Sequence, residues 1–325
     1  MKIHRNDYLR IIGTGSYVPT RVITNEQIAA DTHHWKGRFT AEWVKENLGI
    51  EKRHVAEGDE FSSDLAKQAC ERALNMAGLV PNDIDLLIVA TSTPDRVAPS
   101  TACILQDKLG MQNKCPAFDI QAVCSGFLYA LEIGSSFLSS GSVSKVLIVG
   151  ADTFSKITDW DKRDCCFFGD GAGAVVLHKE ERPICFFASK LYADGSGKEN
   201  FTVKPFDEYY TMNARAVYDT GTTVLPQAIK ELVSESGFQV GDIKHVIPHQ
   251  PSIRVLNRTA DILGICQDTI HKNMREYANT AGATIPLLLD EVNRSGKLKN
   301  NDMVAFAAVG SGWTWGAGLY EWKAI

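Results

Sequence analysis

The chain has 325 residues, more than one hydrophobic core usually accommodates, so we expect two domains or halves. Apolar residues make up 44% and charged residues 22%, as in ordinary globular proteins. The net charge of −5, without a block of basic residues, argues against general nucleic-acid binding. There is no signal-peptide core at the N-terminus and no apolar run of about 18 residues, so we expect a cytoplasmic protein without a membrane span.

The eight cysteines are scattered along the chain and mostly lie inside apolar runs, at positions 70, 103, 115, 124, 165, 166, 185 and 266. Their spacing resembles neither a disulfide framework nor a zinc site, since the adjacent pair at 165 and 166 has no CxxC companion. We therefore predict no metal site and no permanently bound cofactor.

In the first half, strand-like and helical segments alternate, which is typical of an α/β protein. Residues 86–91 and 145–150 are continuous apolar runs and predict buried strands. Between them, residues 125–138 are apolar on nearly all sides, which predicts a helix in the core. Residues 168–177 (FGDGAGAVVL) predict a strand, a tight glycine turn and a second strand.

The second half repeats this order. One apolar helical face, formed by residues 224, 225, 228, 229, 232 and 233, ends at Gly237; a strand at 245–248 and a helix at about 252–263 follow. Residues 303–309 predict another buried strand, and 309–320 a second glycine corner. This parallel indicates an ancient duplication with a boundary near 180, giving halves 1–180 and 181–325. A nucleotide loop at 169–171 is less favoured, because a strand rather than a helix follows it.

Three residues at junctions between predicted elements are the candidate catalytic residues. Cys124 lies where a strand-like run turns into an apolar helix, and a helix N-terminus favours the thiolate, the nucleophilic form of cysteine. His249 lies at a strand-to-helix corner, and Asn279 in a small-residue loop that leads into a helix. Each is weak evidence alone: a buried cysteine is usually filler, and a lone histidine or asparagine is more often structural.

Taken together, these segments resemble the thiolase superfamily, and most closely the β-ketoacyl-acyl-carrier-protein synthase III group. The resemblance runs nearly end to end and rests on residues 13–19 (GTGSYVP), 24–26 (TNE), 49–54 (GIEKRH), 116–127 (PAFDIQAVCSGF), 168–174, 249–250, 279–280 and 312–316 (GWTWG). The Cys-His-Asn order separates this group from relatives with two histidines. The resemblance implies a thiolase-like fold of duplicated α/β halves in a five-layer αβαβα sandwich.

The resemblance also implies a two-step acyltransferase. Cys124 would take an acyl group from a thioester, commonly acyl-coenzyme A, and a malonyl thioester would then lose carbon dioxide and attack the acyl-cysteine. The ring N–H of His249 and the amide of Asn279 would stabilise the enolate, and the backbone N–H groups of Cys124 and Ser311 the acyl-transfer oxyanion. The pathway would be fatty-acid initiation or a specialised polyketide- or quinolone-like route.

Coenzyme A binding carries over in part. Trp43 matches an aromatic residue that stacks on adenine, and Arg163 an arginine on its other side. Asn47 stands where the family usually has a second arginine, and Ser252 where it has the asparagine of a His-Gln-Ala-Asn motif. An insertion at 32–39 precedes Trp43, so the acyl donor itself is an open question.

Carrier-protein docking is altered as well. Arg254 matches an arginine that contacts acyl-carrier protein in relatives, and Arg215 and Arg258 add positive charge. Asp261 and Asp219 stand where lysines are common, which weakens the attraction to an acidic carrier, and a solvated face that has drifted is the plainer alternative. The second substrate is thus malonyl-acyl-carrier protein or malonyl-coenzyme A.

The acyl pocket is predicted from two positions. Ala98 stands where relatives restricted to acetyl primers often carry a phenylalanine that reaches across a dimer interface, so a homodimer and a primer larger than acetyl are expected. Trp313 stands where relatives frequently have phenylalanine, and its larger ring is expected to fill part of the space that Ala98 leaves in the pocket.

Other functions fit less well. An acyl-cysteine transferase that passes the acyl group to a hydroxyl or amine, without decarboxylation, is the main alternative. A non-catalytic partner subunit would usually have lost the cysteine. Hydroxymethylglutaryl-coenzyme A synthase needs a glutamate base that residues 121–123 do not offer.

Overall fold

The protein is represented by a computed structural model that describes residues 2–31, 40–204 and 209–325. The predicted insertion at 32–39 lies outside the described residues. The strands in these ranges are β1 (His4–Arg5), β2 (Leu9–Tyr17), β3 (Arg21–Thr24), β4 (Lys52–Val55), β5 (Leu86–Ala90), β6 (Ala117–Ile120), β7 (Lys145–Asp152), β8 (Gly171–Lys179), β9 (Phe187–Ala193), β10 (Phe201–Thr202), β11 (Thr211–Met212), β12 (Ile243–Pro248), β13 (Met303–Gly310) and β14 (Thr314–Glu321).

The helices in the same ranges are α1 (Asn25–Asp31), α2 (Ala41–Leu48), α3 (Ser62–Ala77), α4 (Thr101–Lys108), α5 (Gly126–Ser140), α6 (Ala214–Glu235), α7 (Ile253–Leu263), α8 (Met274–Tyr277) and α9 (Thr284–Arg294). The buried strands and helices predicted from apolar runs are confirmed within one to three residues at their ends, except that α6 begins ten residues before the predicted apolar face. None of the described helices is both long and apolar enough to cross a lipid bilayer.

Two five-stranded sheets form the frame, in the orders β2-β8-β7-β5-β6 and β1-β9-β14-β13-β12. Reading inward from β2 and from β9, each sheet has two antiparallel pairings followed by a parallel one. This shared order confirms the predicted duplication. Apart from β1, which pairs with β9, the first sheet lies within residues 9–179 and the second within 187–321.

The layers follow from which faces are apolar. Helices α3 and α4 pack on the outer face of the first sheet, and α6 and α7 on the outer face of the second. Helices α5 and α9 lie between the sheets, and the core that encloses them takes side chains from both halves. The fold is therefore the predicted αβαβα sandwich, and its central layer brings the ends of β6, β7, β12 and β13 together.

One predicted glycine corner differs from the structure. The second corner is a strand, a turn and a strand, namely β13 and β14 around residues 311–313, as expected. In the first, only an isolated bridge at Phe168 precedes β8, so the predicted leading strand is wrong. Gly169 serves close approach there, because a Cβ at that position would lie 2.5 Å from the carbonyl oxygen of Tyr277.

Candidate active site

Cys124 lies in a 3-10 turn, Val123–Ser125, that joins the end of β6 to α5. The turn begins with Val123 at a φ of 47°, and the N–H and hydroxyl of Ser125 both donate to the carbonyl of Ala122. Cys124 is 8% exposed and packs among aromatic side chains. The predicted strand-to-helix corner is therefore confirmed, and the cysteine is buried there.

The ionisation of Cys124 differs from the sequence-based expectation. Burial, and after it the charge of Asp152, raise the pKa of the thiol to about 12. Desolvation disfavours the charged form, and it therefore opposes the stabilisation of the thiolate expected from a helix N-terminus. The resting nucleophile is consequently a thiol.

Asn279 follows α8 and points its amide at the nucleophile. Its Nδ2 donates to Sγ of Cys124 across 3.9 Å. Its Oδ1 accepts from the N–H of Ala281 (2.9 Å) and the hydroxyl of Thr284 (3.2 Å), which fixes the amide so that its donors face the sulfur. The structure thus brings Asn279 and Cys124 together, and their catalytic roles stay a prediction.

His249 extends β12 by one residue, and its N–H donates to the carbonyl of Ala307 at 2.9 Å. The ring is buried, which lowers its pKa to about 3. Its Nδ1 accepts from the N–H of Val309 at 3.4 Å, so the proton of the neutral ring lies on Nε2. His249 is therefore a neutral hydrogen-bond donor at Nε2 and a poor proton acceptor.

A small cavity of about 50 Å³ connects these groups. Besides the three polar residues it is lined by mostly apolar side chains and a glycine-rich turn: Val123, Phe167, Phe168, Phe201, Met212, Val217, Pro251, Val309, Gly310, Ser311 and Trp313. A Cβ on Gly310 would lie 2.5 Å from the carbonyl of Ala122, so glycine lets the Ser311 turn approach the Cys124 turn. Two predicted residues, Ser311 and Trp313, are therefore at the site.

A wider cavity of about 470 Å³ lies outside the first and shares Phe167, Val217 and Pro251 with it. Six residues singled out in the sequence line this outer cavity: Trp43, Asn47, Arg163, Arg215, Ser252 and Arg254. The structure thus gathers the predicted donor-binding residues and two of the three predicted carrier-contact residues, Arg215 and Arg254, at one opening, which leads toward Cys124.

Asn47 and Ser252, the two residues of this opening that depart from the family pattern, each form a hydrogen bond within or next to their own helix. The amide of Asn47 donates to the carbonyl of Trp43 at 2.8 Å, one turn earlier in α2. The hydroxyl of Ser252 caps α7 by accepting from the N–H of Val255 at 3.4 Å. Both residues border the cavity without adding charge to it.

Two other predicted residues, Arg258 and Ala98, line neither of these cavities. Arg258 borders a separate groove between α6 and α7, away from the opening that Arg215 and Arg254 share. Arg215 is 81% exposed at the start of α6 and forms an ion pair with Asp219 at 2.7 Å. Ala98 is exposed on a loop and lines neither cavity of the single chain.

Several neighbours of the site were not predicted from the sequence. Phe201 and Met212 come from the paired two-residue strands β10 and β11, which are too short to leave a periodic signal. The buried carboxylate of Asp152 was also missed, although its position at the end of an apolar strand gave a clue. Phe168 was named only as the start of a glycine motif.

Comparison with known proteins agrees with this geometry. Residues 118–195 match the family described as 3-oxoacyl-[acyl-carrier-protein (ACP)] synthase III, and residues 233–322 match its C-terminal part. A relative named beta-ketoacyl-[acyl-carrier-protein] synthase III, from Thiobacillus denitrificans, is 42% identical over 97% of this chain and 99% of its own length. The chain belongs to the 3-oxoacyl-[acyl-carrier-protein] synthase III family.

Solved synthase III structures share the whole fold. The Aquifex aeolicus enzyme is 37% identical, with a TM-score of 0.92 over 97% of this chain and all of that chain. The Pseudomonas aeruginosa enzyme is 33% identical, with a TM-score of 0.89 over 98% and 99% of the two chains. The resemblance seen in the sequence, and the enzyme class it implied, are confirmed.

Proposed function

We propose that Cys124 accepts an acyl group from an acyl thioester and that the bound acyl group is then condensed with a malonyl thioester, with loss of carbon dioxide. One observation carries this proposal: two neutral donors, the Asn279 amide and Nε2 of His249, border the small cavity that holds the Cys124 sulfur. Decarboxylation of a malonyl thioester places negative charge on the thioester oxygen, and neutral donors in a dry site stabilise such charge.

In the first step the sulfur of Cys124 forms a bond to the acyl carbonyl carbon, and the bond from that carbon to the donor sulfur breaks. The proton of the Cys124 thiol leaves with the departing thiol, so no net proton is released. The N–H groups of Cys124 and Ser311 are assigned to the oxyanion of this step, as the family resemblance implies.

In the second step the malonyl carbon–carbon bond to the carboxylate breaks, and the enolate is held by His249 and Asn279. The enolate carbon then attacks the acyl-cysteine, which expels Cys124; the sulfur takes up a proton and the β-ketoacyl thioester leaves. Loss of carbon dioxide generates the carbanion directly, so the step needs no strong base.

The alternative, acyl transfer to a hydroxyl or amine, fits the site less well. Such an acceptor needs a general base to remove its proton. Burial lowers the pKa of His249 to about 3, and its Nδ1 is engaged by Val309, so the ring is suited to donating rather than accepting a proton. This contrast favours condensation.

The outer cavity supports the choice of substrates. We assign coenzyme A to the surface with Trp43 and Arg163, and an acidic malonyl carrier protein to Arg215 and Arg254, with Arg258 farther along α7. Malonyl-coenzyme A is the alternative second substrate. The cytoplasmic location stays a prediction.

We also propose a homodimer. The edge strand β6 has no strand on its outer side among the described residues, and its Phe118 packs against the exposed ring of Phe137. Ala98 is exposed on the loop that precedes α4, and in a dimer it is expected to enlarge the acyl pocket of the other subunit.

Intact-protein mass spectrometry tests this function. We expect Cys124 to gain the acyl mass from one or more of a panel of acyl-coenzyme A donors, and to release it with carbon dioxide only when a malonyl thioester is added. Cys124→Ser should not load. Stoichiometric loading of that variant, or acyl release to water or amines without any malonyl donor, would contradict the proposal.

A further inference from the structure

Asp152 is a fully buried carboxylate at the end of β7, directly behind the active site. Its Oδ1 accepts hydrogen bonds from residues that follow β5: the N–H groups of Ser92 (2.7 Å) and Thr93 (3.2 Å) and the hydroxyls of Thr91 (3.3 Å) and Thr93 (3.1 Å). Its Oδ2 accepts from the N–H of Gly282 at 2.8 Å. Every one of these partners is a donor, so the set suits an acceptor.

The contact with Gly282 joins the two halves of the molecule at the reacting groups. Gly282 is the middle residue of the 3-10 turn Ala281–Ala283, which follows Asn279. The N–H of Ala281, in the same turn, donates to Oδ1 of Asn279 and thereby orients its amide toward the Cys124 sulfur. The position of the Asn279 donor therefore depends on where this turn sits.

The turn Ala281–Ala283 packs closely against β7. A Cβ on Gly282 would lie 3.0 Å from Oδ2 of Asp152, and a Cβ on Gly150 of β7 would lie 2.1 Å from the carbonyl oxygen of Gly282. Close packing of this kind transmits small displacements, and a shift of about 1 Å at a reacting group can cost about a hundredfold in rate.

The charge of Asp152 does not activate the nucleophile. Burial raises the pKa of Asp152 itself to about 7, and its carboxylate is the second cause, after burial, of the raised pKa of Cys124. An anion at this place opposes formation of a thiolate. The benefit of the carboxylate to the reaction must come from its contacts.

We propose that Asp152 is a positioning residue for the condensation step: it holds the Gly282 turn on β7 and thereby sets the Asn279 amide beside the Cys124 sulfur. This inference rests on the proposed function, because it assigns Asn279 to the enolate. It predicts that loss of the Asp152–Gly282 contact impairs decarboxylation while leaving acyl loading of Cys124 nearly intact.

Two variants distinguish the effect of the Asp152–Gly282 contact from the effect of the negative charge on Asp152. Asp152→Asn keeps the shape but removes the charge and one acceptor. Gly282→Ala keeps the carboxylate but presses a methyl group against its Oδ2. We expect each to lower carbon dioxide release from malonyl-coenzyme A by about 10- to 100-fold and to change acyl loading by no more than a few-fold. Should Asp152→Asn fail to fold, Gly282→Ala carries the same test.

A double-mutant cycle with Asn279→Ala decides the mechanism. If Asp152 acts through Asn279, Asp152→Asn should add little to the defect of Asn279→Ala. Defects that multiply, or loading and decarboxylation that fall together, would overturn the inference. The rate of Cys124 alkylation at a fixed pH gives a further readout: it should rise in Asp152→Asn, which removes an opposing charge, and stay unchanged in Gly282→Ala. Wild-type protein that releases no carbon dioxide would instead overturn the proposed function.

Discussion

The N–H of Val309 donates to Nδ1 of His249 across 3.4 Å, and the histidine is thereby held with its proton on Nε2. Val309 lies near the end of β13 and His249 follows the end of β12, so the parallel pairing of these two strands fixes the ring. Burial keeps the ring neutral. The pairing of β12 and β13 thus leaves Nε2 of His249 as the hydrogen-bond donor of the ring.

The first prediction concerns His249→Ala. Removal of one oxyanion donor typically costs about 10²- to 10³-fold, so carbon dioxide release should fall by that factor. Acyl loading of Cys124 should persist, because a different set of donors is assigned to it. Loading followed by mass spectrometry and decarboxylation followed with carboxyl-labelled malonyl-coenzyme A measure the two steps separately. Equal loss in both would contradict the assignment.

The pH dependence of decarboxylation follows from the same histidine. Its pKa of about 3 means that the ring stays neutral from pH 8 to pH 5, so protonation of His249 should not reduce the rate in that window. A loss of rate with a midpoint near pH 6.5 that disappears in a His249 variant would show an ordinary, solvated histidine.

The main reacting groups were predicted through the family resemblance, because each is weak evidence alone: Cys124 and His249 follow apolar runs at corners, whereas Asn279 lies in a small-residue loop. Cys124, His249 and Asn279 come from different elements, and the structure brings them to one small cavity. The ionisation of Cys124 was not predictable, because burial depends on how the aromatic cluster closes around the sulfur. Phe201 was missed because it reaches the site through a two-residue strand pair, a tertiary contact without a local pattern.

Ala98 provides the second prediction. Its side chain is exposed in the single chain, and the proposed dimer places it at the acyl pocket of the other subunit. Ala98→Phe should restore the bulk found in acetyl-restricted relatives, so loading of acyl groups longer than acetyl should fall by at least about tenfold while acetyl loading persists. Ala98→Ser serves as the control of nearly equal size. An unchanged acyl panel in Ala98→Phe would argue against this position in the pocket.

The third prediction concerns stability at low pH. Nε2 of His271 lies 2.9 Å from Nδ1 of His245, whose other ring nitrogen lies 3.2 Å from Asp302. Burial first, and then His245 and Lys297, lower the pKa of His271 to about 4. The unfolded chain binds this proton more tightly, so the free energy of unfolding should fall as the pH drops from about 6.5 to about 4.

Melting temperatures across that pH range test the histidine pair. His271→Gln should be less stable at pH 7.5, where the wild-type ring is neutral, but its melting temperature should change less between pH 6.5 and pH 4. Parallel curves for the two proteins would mean that other groups account for the acid sensitivity.

The last prediction concerns carrier docking at the outer cavity. Asp219 accepts a hydrogen bond from Nε of Arg215 at 2.7 Å, so the arginine nearest the start of α6 is partly neutralised by its own helix. Asp219→Asn should release this charge for an acidic partner and lower KM for a malonyl carrier protein by about two- to fivefold, with kcat unchanged. The gain should shrink with added salt. With malonyl-coenzyme A as substrate the change should be smaller.

Asp107→Asn is the matched control, because it makes the same charge change on the exposed face of α4, in the opposite outer layer. Equal effects of the two variants would show only a change in net charge, whereas an effect of Asp219→Asn alone would place carrier docking at Arg215.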